Sequence, residues 1–258
     1  MSDRGEGSRR PIALVTGASR RVGIGSGVCV GLAADGWDVA FTYWRRYDQR
    51  MAWGSNDEDL EQTAEAIRAA GGRTASIEAD LSQIDSIPRI FDEAEGALGP
   101  VTALVIGHCE SVNSDLRSTT VESFDLHMAV NARAPWLLVR EFATRYRGQF
   151  GQGRIVALTS DAATGNLPYG ASKGALDRIV IAAAREFADL GVTANVINPG
   201  PTATGWITSE QAEIIAAETP LGRVGTAHDA AALVTFLCSD RGGWINGQLL
   251  HSDGGIHA

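Results

Sequence analysis

The sequence predicts an α/β fold, a single-domain doubly wound parallel sheet of about seven strands with helices on both faces, and three observations carry that expectation. Short apolar runs of strand length alternate with longer segments whose apolar residues recur at helical spacing. The strand runs are continuously apolar rather than alternating, as strands covered on both faces are. A glycine-rich turn closes the first of them. A length of 258 residues suits one core, with residues 1–10 as a polar, disordered tail and 11–258 as the single domain.

The elements follow in order. "PIALVTG" at 11–17 is the first strand, and the turn "VTGASRRVGIGSG" leads from it into a helix. "WDVAFTY" at 37–43 is the second, followed by the longest irregular stretch, "WRRYDQRMAWGSNDED" at 44–59, which reads as a long functional loop. "DLEQTAEAIRAAGG" has the spacing and glycine stop of a helix. The runs "RTASIEAD" at 73–80, "VTALVIG" at 101–107 and "GRIVALTS" at 153–160 supply three more strands. "LDRIVIAAAREFADLG" is a second clear helix, and "GVTANVINPG" at 191–200 and "GQLLHSDGG" at 247–255 complete the set.

Composition excludes several classes. A formal charge of −9 disfavours nucleic acid or an anionic membrane as partner, because either wants a dense Lys/Arg surface. Cys29, Cys109 and Cys238 are odd in number, widely spaced and set among apolar residues, so they read as reduced thiols of a cytoplasmic protein, with no disulfide framework and no metal site. The opening "MSDRGEGSRRP" is polar, and the apolar "IALV" after it is too short to span a bilayer.

The glycine turn points to a ligand. Gly17, Gly23 and Gly25 allow backbone N–H groups to approach a pyrophosphate, and the helix that starts there adds the positive end of its dipole, as in a Rossmann-type dinucleotide site. NAD sites carry an acid at the end of the second strand, whereas this one reads "TYWRR". Arg45 and Arg46, with Arg20 and Arg21 in the turn, are suited to a 2′-phosphate, so NADP(H) is the preferred cofactor and NAD(H) the alternative.

A second constellation lies in "TSDAATGNLPYGASKGAL", residues 159–176, where Tyr169 stands four positions before Lys173 and nine after Ser160. A Tyr/Lys pair at i+4 occurs by chance on ordinary helices, but here it follows a strand that ends in a serine. A tyrosine in water, with a pKa of about 10, is a poor base, and a nearby ammonium favours its phenolate. Hydride delivery to a carbonyl carbon, protonation of its oxygen by Tyr169 and a hydrogen bond from Ser160 make a consistent reduction, reversible as an oxidation.

With these motifs in order, together with Thr16, "ADLS", "MAVNARAP", "NPGPTATG" and "GRVG" through "GQLLHSDGG", the sequence resembles the short-chain dehydrogenase/reductase family over about residues 11–256, and within it the 3-oxoacyl-acyl-carrier-protein reductase-like members. The resemblance implies Tyr169 as acid/base, Lys173 as its partner, Ser160 as the carbonyl-orienting hydroxyl and Asn131 as support for a water relay. It places Asp80 at the adenine beside Leu81, and Pro199, Gly200, Thr202 and Thr204 along the nicotinamide. Gly17, Ser19, Arg20, Arg21, Gly23, Ile24 and Arg45 complete the implied cofactor set. A small-molecule carbonyl or alcohol substrate and a homotetramer are implied as well.

Three departures from that pattern bear on the site. The glycine turn has two extra residues; "IGHC" at 106–109 replaces the usual "NNAG", removing side-chain amides that brace the sheet and cofactor loop; and the Ser160–Tyr169 segment is about four residues short, which reshapes the substrate pocket. Asp161 is expected to face solvent, His108 and His251 to be structural, and "WITSEQAEIIAAETP" at 206–220 to be a mobile lid. Two rivals stand beside carbonyl reduction. Enoyl reduction goes with a wider Tyr–Lys spacing than "YGASK", and a cofactor-binding sensor or structural subunit with little turnover has no need of the whole proton relay.

Overall fold

Each of the seven apolar runs forms a strand. The computed structural model describes residues 10–162 and 164–258. Among them β1 (Ile12–Thr16), β2 (Asp38–Tyr43), β3 (Thr74–Glu78), β4 (Ala103–Ile106), β5 (Arg154–Leu158), β6 (Thr193–Asn198) and β7 (Leu249–His251) pair in parallel in the order β3-β2-β1-β4-β5-β6-β7. The expected tail at 1–10 lies, apart from Arg10, outside the described residues; Arg10 itself is fastened, donating to the carbonyls of Gly71 and Trp37.

Side chains of β1 and β4 alternate between two apolar layers, which is why both strands are apolar throughout. Leu14, Leu104 and Ile155 face α4 (Ser86–Ala97), α6 (Ala134–Arg145) and α7 (Leu167–Glu186), where Phe91, Leu138, Phe142 and Leu176 meet them. Val15, Val105 and Val156 face α1 (Ile24–Ala34), α3 (Asp57–Ala69) and α9 (Ala227–Cys238), packing with Val28, Leu32, Ile67 and Val234. β1 sits at the reversal of strand order, with β2 on one side and β4 on the other. Loops leaving the C-terminal ends of β1 and β4 therefore diverge and open a crevice, the position where ligands bind in such sheets.

The stretch 44–59 is less irregular than its sequence suggests. It begins with the short helix α2 (Arg45–Arg50), anchored by the buried Asp48, whose carboxylate accepts from Trp53 Nε1 at 2.9 Å. It ends in α3, capped by Asn56 with Asp57, Glu58 and Asp59 in the first turn, where acids complement the helix dipole. Two further helices matter to the site. α5 (Val121–Met128) runs through a π-helical turn at Ala129–Arg133 into α6, and α8 (Ser209–Glu218) buries no side chain. Among the described residues no helix is long and apolar enough to cross a membrane.

Candidate active site

The crevice is a cavity of about 720 Å³ lined from the ends of β1, β2, β4, β5 and β6. Its floor is the glycine turn. Gly17 has φ +84°, and a Cβ there would lie 2.6 Å from the backbone of His108, so a side chain is excluded on both counts. At the start of α1 the N-cap Gly23 offers no side-chain cap and the first turn holds no acid. Free N–H groups and an uncompensated helix dipole thus face the cavity, the arrangement that suits a pyrophosphate.

Ser160, Tyr169 and Lys173 converge on one wall of this cavity. Lys173 is fully buried and donates to the Leu158 carbonyl at 2.8 Å, with its ammonium 5.6 Å from the centre of the Tyr169 ring. Burial pushes the Tyr169 phenol well above its usual range, opposed in part by a hydrogen bond with Ser160, and pushes Lys173 below its own. Desolvation thus favours the protonated phenol at Tyr169, the form that donates in a reduction.

Asn131 belongs to the framework under these groups. Fully buried in the π-helical turn, it accepts from Glu110 N at 2.8 Å and donates to Glu110 O at 2.8 Å and Ser172 Oγ at 2.9 Å. Ser172 in turn donates to the Tyr169 carbonyl at 2.7 Å. One amide thus ties the loop after β4 to the first turns of α7, a frequent use of a π-bulge.

His108 supplies a brace in place of the side-chain amides absent from "IGHC". Its Nε2 lies 2.9 Å from the Val130 carbonyl, so that nitrogen carries the proton, and Nδ1 accepts from the Thr16 hydroxyl at 2.7 Å. Burial, reinforced by the Lys173 charge, lowers its pKa to about 3, and the ring is neutral. An imidazole spanning from β1 to the π-helical turn therefore does the bridging expected of an amide.

The arginines separate into distinct roles. Arg45 points out of the cavity, held by Asp57 at 2.7 Å and Glu78 at 2.5 Å, with Tyr43 alongside. Two carboxylates thus compete with a 2′-phosphate for the guanidinium expected to bind it. Arg21 is exposed and lies off the cavity lining, whereas Arg46 lines it. Arg20 crosses the mouth: it donates to the Thr204 carbonyl at 2.5 Å, approaches Asp48 at 3.9 Å and stacks 4.1 Å from the Trp53 ring. Trp53 meets Trp206 edge-on at 4.6 Å, so the turn, the 44–59 segment and the start of the expected lid are clasped together.

The remaining expected residues, Ser19, Ile24, Asp80, Leu81, Pro199, Gly200 and Thr202, also line the cavity. Asp80 is oriented by Ser82 N, which donates to it at 2.9 Å. Sequence reasoning missed the buried Glu110, paired with Arg50 at 2.7 Å, and His257, both of which line the cavity. Asp161 is exposed, as expected, but it also lines the cavity mouth and pairs with His257 at 2.9 Å, a partner the sequence did not suggest. No local signal could have joined positions 161 and 257, since the contact depends on the tail returning across the ends of β5 and β6.

A protein-family profile described as enoyl-(acyl carrier protein) reductase matches residues 17–257. The chain is 37% identical over 257 residues to an NADPH-dependent aldehyde reductase-like protein, chloroplastic, of Arabidopsis thaliana, covering 95% of this chain and 93% of the relative. It is 36% identical over 254 residues to an uncharacterized oxidoreductase of Bacillus subtilis, covering 96% and 98%. Among solved structures, a short-chain dehydrogenase from Burkholderia cenocepacia J2315 in complex with NADP superposes with a TM-score of 0.84 at 32% identity, covering 97% of this chain and 98% of that one.

Proposed function

We propose that this chain, which belongs to the short-chain dehydrogenase/reductase family, is an NADP(H)-dependent carbonyl reductase interconverting a small or medium ketone and its secondary alcohol, with a 3-oxoacyl thioester among the candidate substrates. The single observation that carries this reading is the convergence of Ser160, Tyr169 and Lys173 on the wall of a cavity floored by the glycine turn.

The residues present fit the cofactor. The N–H groups of the first helical turn, from Ile24 on, would take the pyrophosphate, Asp80 the adenine, and the Pro199–Thr204 segment the nicotinamide end. Arg46 and Ser19, which line the cavity near Trp44, would take a 2′-phosphate. When bound, NADPH supplies a hydride to the carbonyl carbon. Ser160 orients the carbonyl oxygen by a hydrogen bond, and the Tyr169 hydroxyl gives its proton to that oxygen as negative charge develops. Lys173 holds the Leu158 carbonyl and presents positive charge behind the ring, which steadies the phenolate left after transfer. Reversing the proton's path gives alcohol oxidation.

Tetramer assembly and a cytoplasmic location belong to the same reading. Trp244, 98% exposed, and the half-exposed Trp136 on α6 support an assembly that covers them. The deciding experiment follows nicotinamide absorbance while NADPH and a panel of ketones, aldehydes and a 3-oxoacyl thioester are added. Oxidation by the wild type that falls about 10²–10⁴-fold in Tyr169→Phe, with NADPH binding retained, is the expected result. Tight binding without oxidation across the panel would overturn it.

A further inference from the structure

The cavity rim carries a cluster that carbonyl reduction does not use. β7 and the tail after it bring His251, Asp253 and His257 together, with one donor atom from each lying within 4.8 Å of the other two. Asp253 is nearly buried, its side chain 7% exposed, and one carboxylate oxygen accepts from Gly255 N at 2.9 Å. The other oxygen is left 2.9 Å from His257 Nδ1 and 3.4 Å from His251 Nδ1. Ligands at metal bonds of ~2.0–2.1 Å in a tetrahedron stand about 3.3–3.5 Å apart, so a slight opening of the 2.9 Å pair and a modest approach of the two histidines complete the set.

The outer side of His257 is also prepared. Its Nε2 faces Asp161 Oδ2 at 2.9 Å. A carboxylate receiving the far N–H of an imidazole is the usual support of a metal-bound histidine, fixing its tautomer and raising its basicity. Asp161 is next to Ser160, and His257 lines the cavity.

We propose that His251 Nδ1, Asp253 Oδ2 and His257 Nδ1 bind a borderline divalent transition-metal ion of the Zn²⁺ class, with Asp161 orienting His257. Two imidazoles and one carboxylate select Zn²⁺ and its first-row neighbours over Mg²⁺ and Ca²⁺, which prefer oxygen ligands. Three protein ligands leave a fourth position for water or a substrate oxygen. The ion pins the chain's end to the loop that begins at Ser160 and so fixes one side of the substrate opening.

The test uses tag-free, chelator-treated full-length protein, titrated with Co²⁺ as a spectroscopic probe and with Zn²⁺ in competition. One ion per chain, a tetrahedral Co²⁺ visible spectrum and displacement by Zn²⁺ are expected, with millimolar Mg²⁺ and Ca²⁺ without effect. His251→Ala and His257→Ala should each weaken uptake on the order of a hundredfold or more. Asp161→Asn should keep the stoichiometry and weaken affinity about 10–100-fold. Thermal unfolding of the metal-free variants, matching that of metal-free wild type, separates ligand loss from misfolding. Failure of the wild type to bind Co²⁺ or Zn²⁺, or binding unchanged in the double histidine variant, would overturn the site. No readout depends on turnover, so this result and the reductase assay succeed or fail separately.

Discussion

The floor of the cavity and its rim are built by different means. Beneath the reacting groups, Asn131, Ser172, His108 and Lys173 are buried and bonded to one another or to backbone carbonyls of the sheet and its loops. Around the opening, Arg20 with Thr204, Trp53 with Trp206, and Asp161 with His257 join segments distant in sequence through side chains that keep solvent contact. A buried polar group that loses its partner leaves another without one, whereas an exposed pair exchanges its bond for water. The floor should therefore be costly to disturb and the rim cheap, which suits a site that must hold reacting atoms still while admitting ligands.

The largest effect should come from Asn131→Ala. The change leaves the Glu110 N–H and carbonyl without their side-chain partner, at about 1–3 kcal/mol for each buried group so abandoned. A loss of several kcal/mol in denaturant unfolding is expected, together with a fall in kcat exceeding any change in the KM for NADPH. Unaltered stability would mean that the floor is not the rigid part.

His108→Ala should follow, at about 1–3 kcal/mol, with a signature in pH. Folded His108 stays neutral down to about pH 3 because burial disfavours its charge, whereas in the unfolded chain it protonates near its ordinary value of 6.5. The unfolded state binds the extra proton, so stability is fully present above pH 6.5 and falls as pH drops toward 3. The slope from this residue is at most about 1.4 kcal/mol per pH unit. Unfolding measured across that window should lose this component in the alanine variant. An unchanged profile would remove His108 from the floor.

Arg46→Ala sharpens the comparison at the cofactor end. A charge-assisted bond to a phosphate is worth about 1.5–3 kcal/mol, so NADPH affinity should fall ten- to a hundredfold while NADH affinity holds. Arg45→Ala, which breaks pairs with Asp57 and Glu78 outside the cavity, should leave the NADPH/NADH ratio unchanged. The reverse pattern would return the 2′-phosphate to Arg45.

These contrasts also mark what was legible in the sequence. All seven strands and the glycine cradle are local patterns, set by apolar runs and by glycines whose conformation a side chain forbids. Tyr169, Lys173 and Ser160 were readable because a strand end and the following helix fix them within fifteen residues. His108 looked like the loss of a brace because only the fold shows Thr16 and the Val130 carbonyl waiting on either side of the ring. Arg45 reads as cofactor-facing from "TYWRR", and only the fold brings Glu78, on the neighbouring β3, against it. The π-helical turn at 129–133, which aims Asn131, has no local signature in "AVNAR".

The smallest expected effect tests the rim itself. Trp206→Ala removes the edge contact with Trp53, worth about 0.5–1.5 kcal/mol, and leaves intact the hydrogen bond from Trp53 Nε1 to the buried Asp48. Neither ring belongs to an apolar core cluster, and α8 just beyond Trp206 buries nothing, so the unfolding midpoint should move little. What should change is ligand exchange. With the clasp loosened, Arg20 keeps its stack on Trp53 and its hydrogen bond to Thr204, while the 206–220 segment loses its tie to Trp53 and is freer to open. Stopped-flow displacement should show NADPH leaving a few-fold to about tenfold faster, in line with the energy removed, with turnover of saturated enzyme equal or higher if release limits it. A stability loss as large as that of Asn131→Ala would show the aromatic clasp to be part of the framework after all, and the division between a fixed floor and a movable rim would fail there.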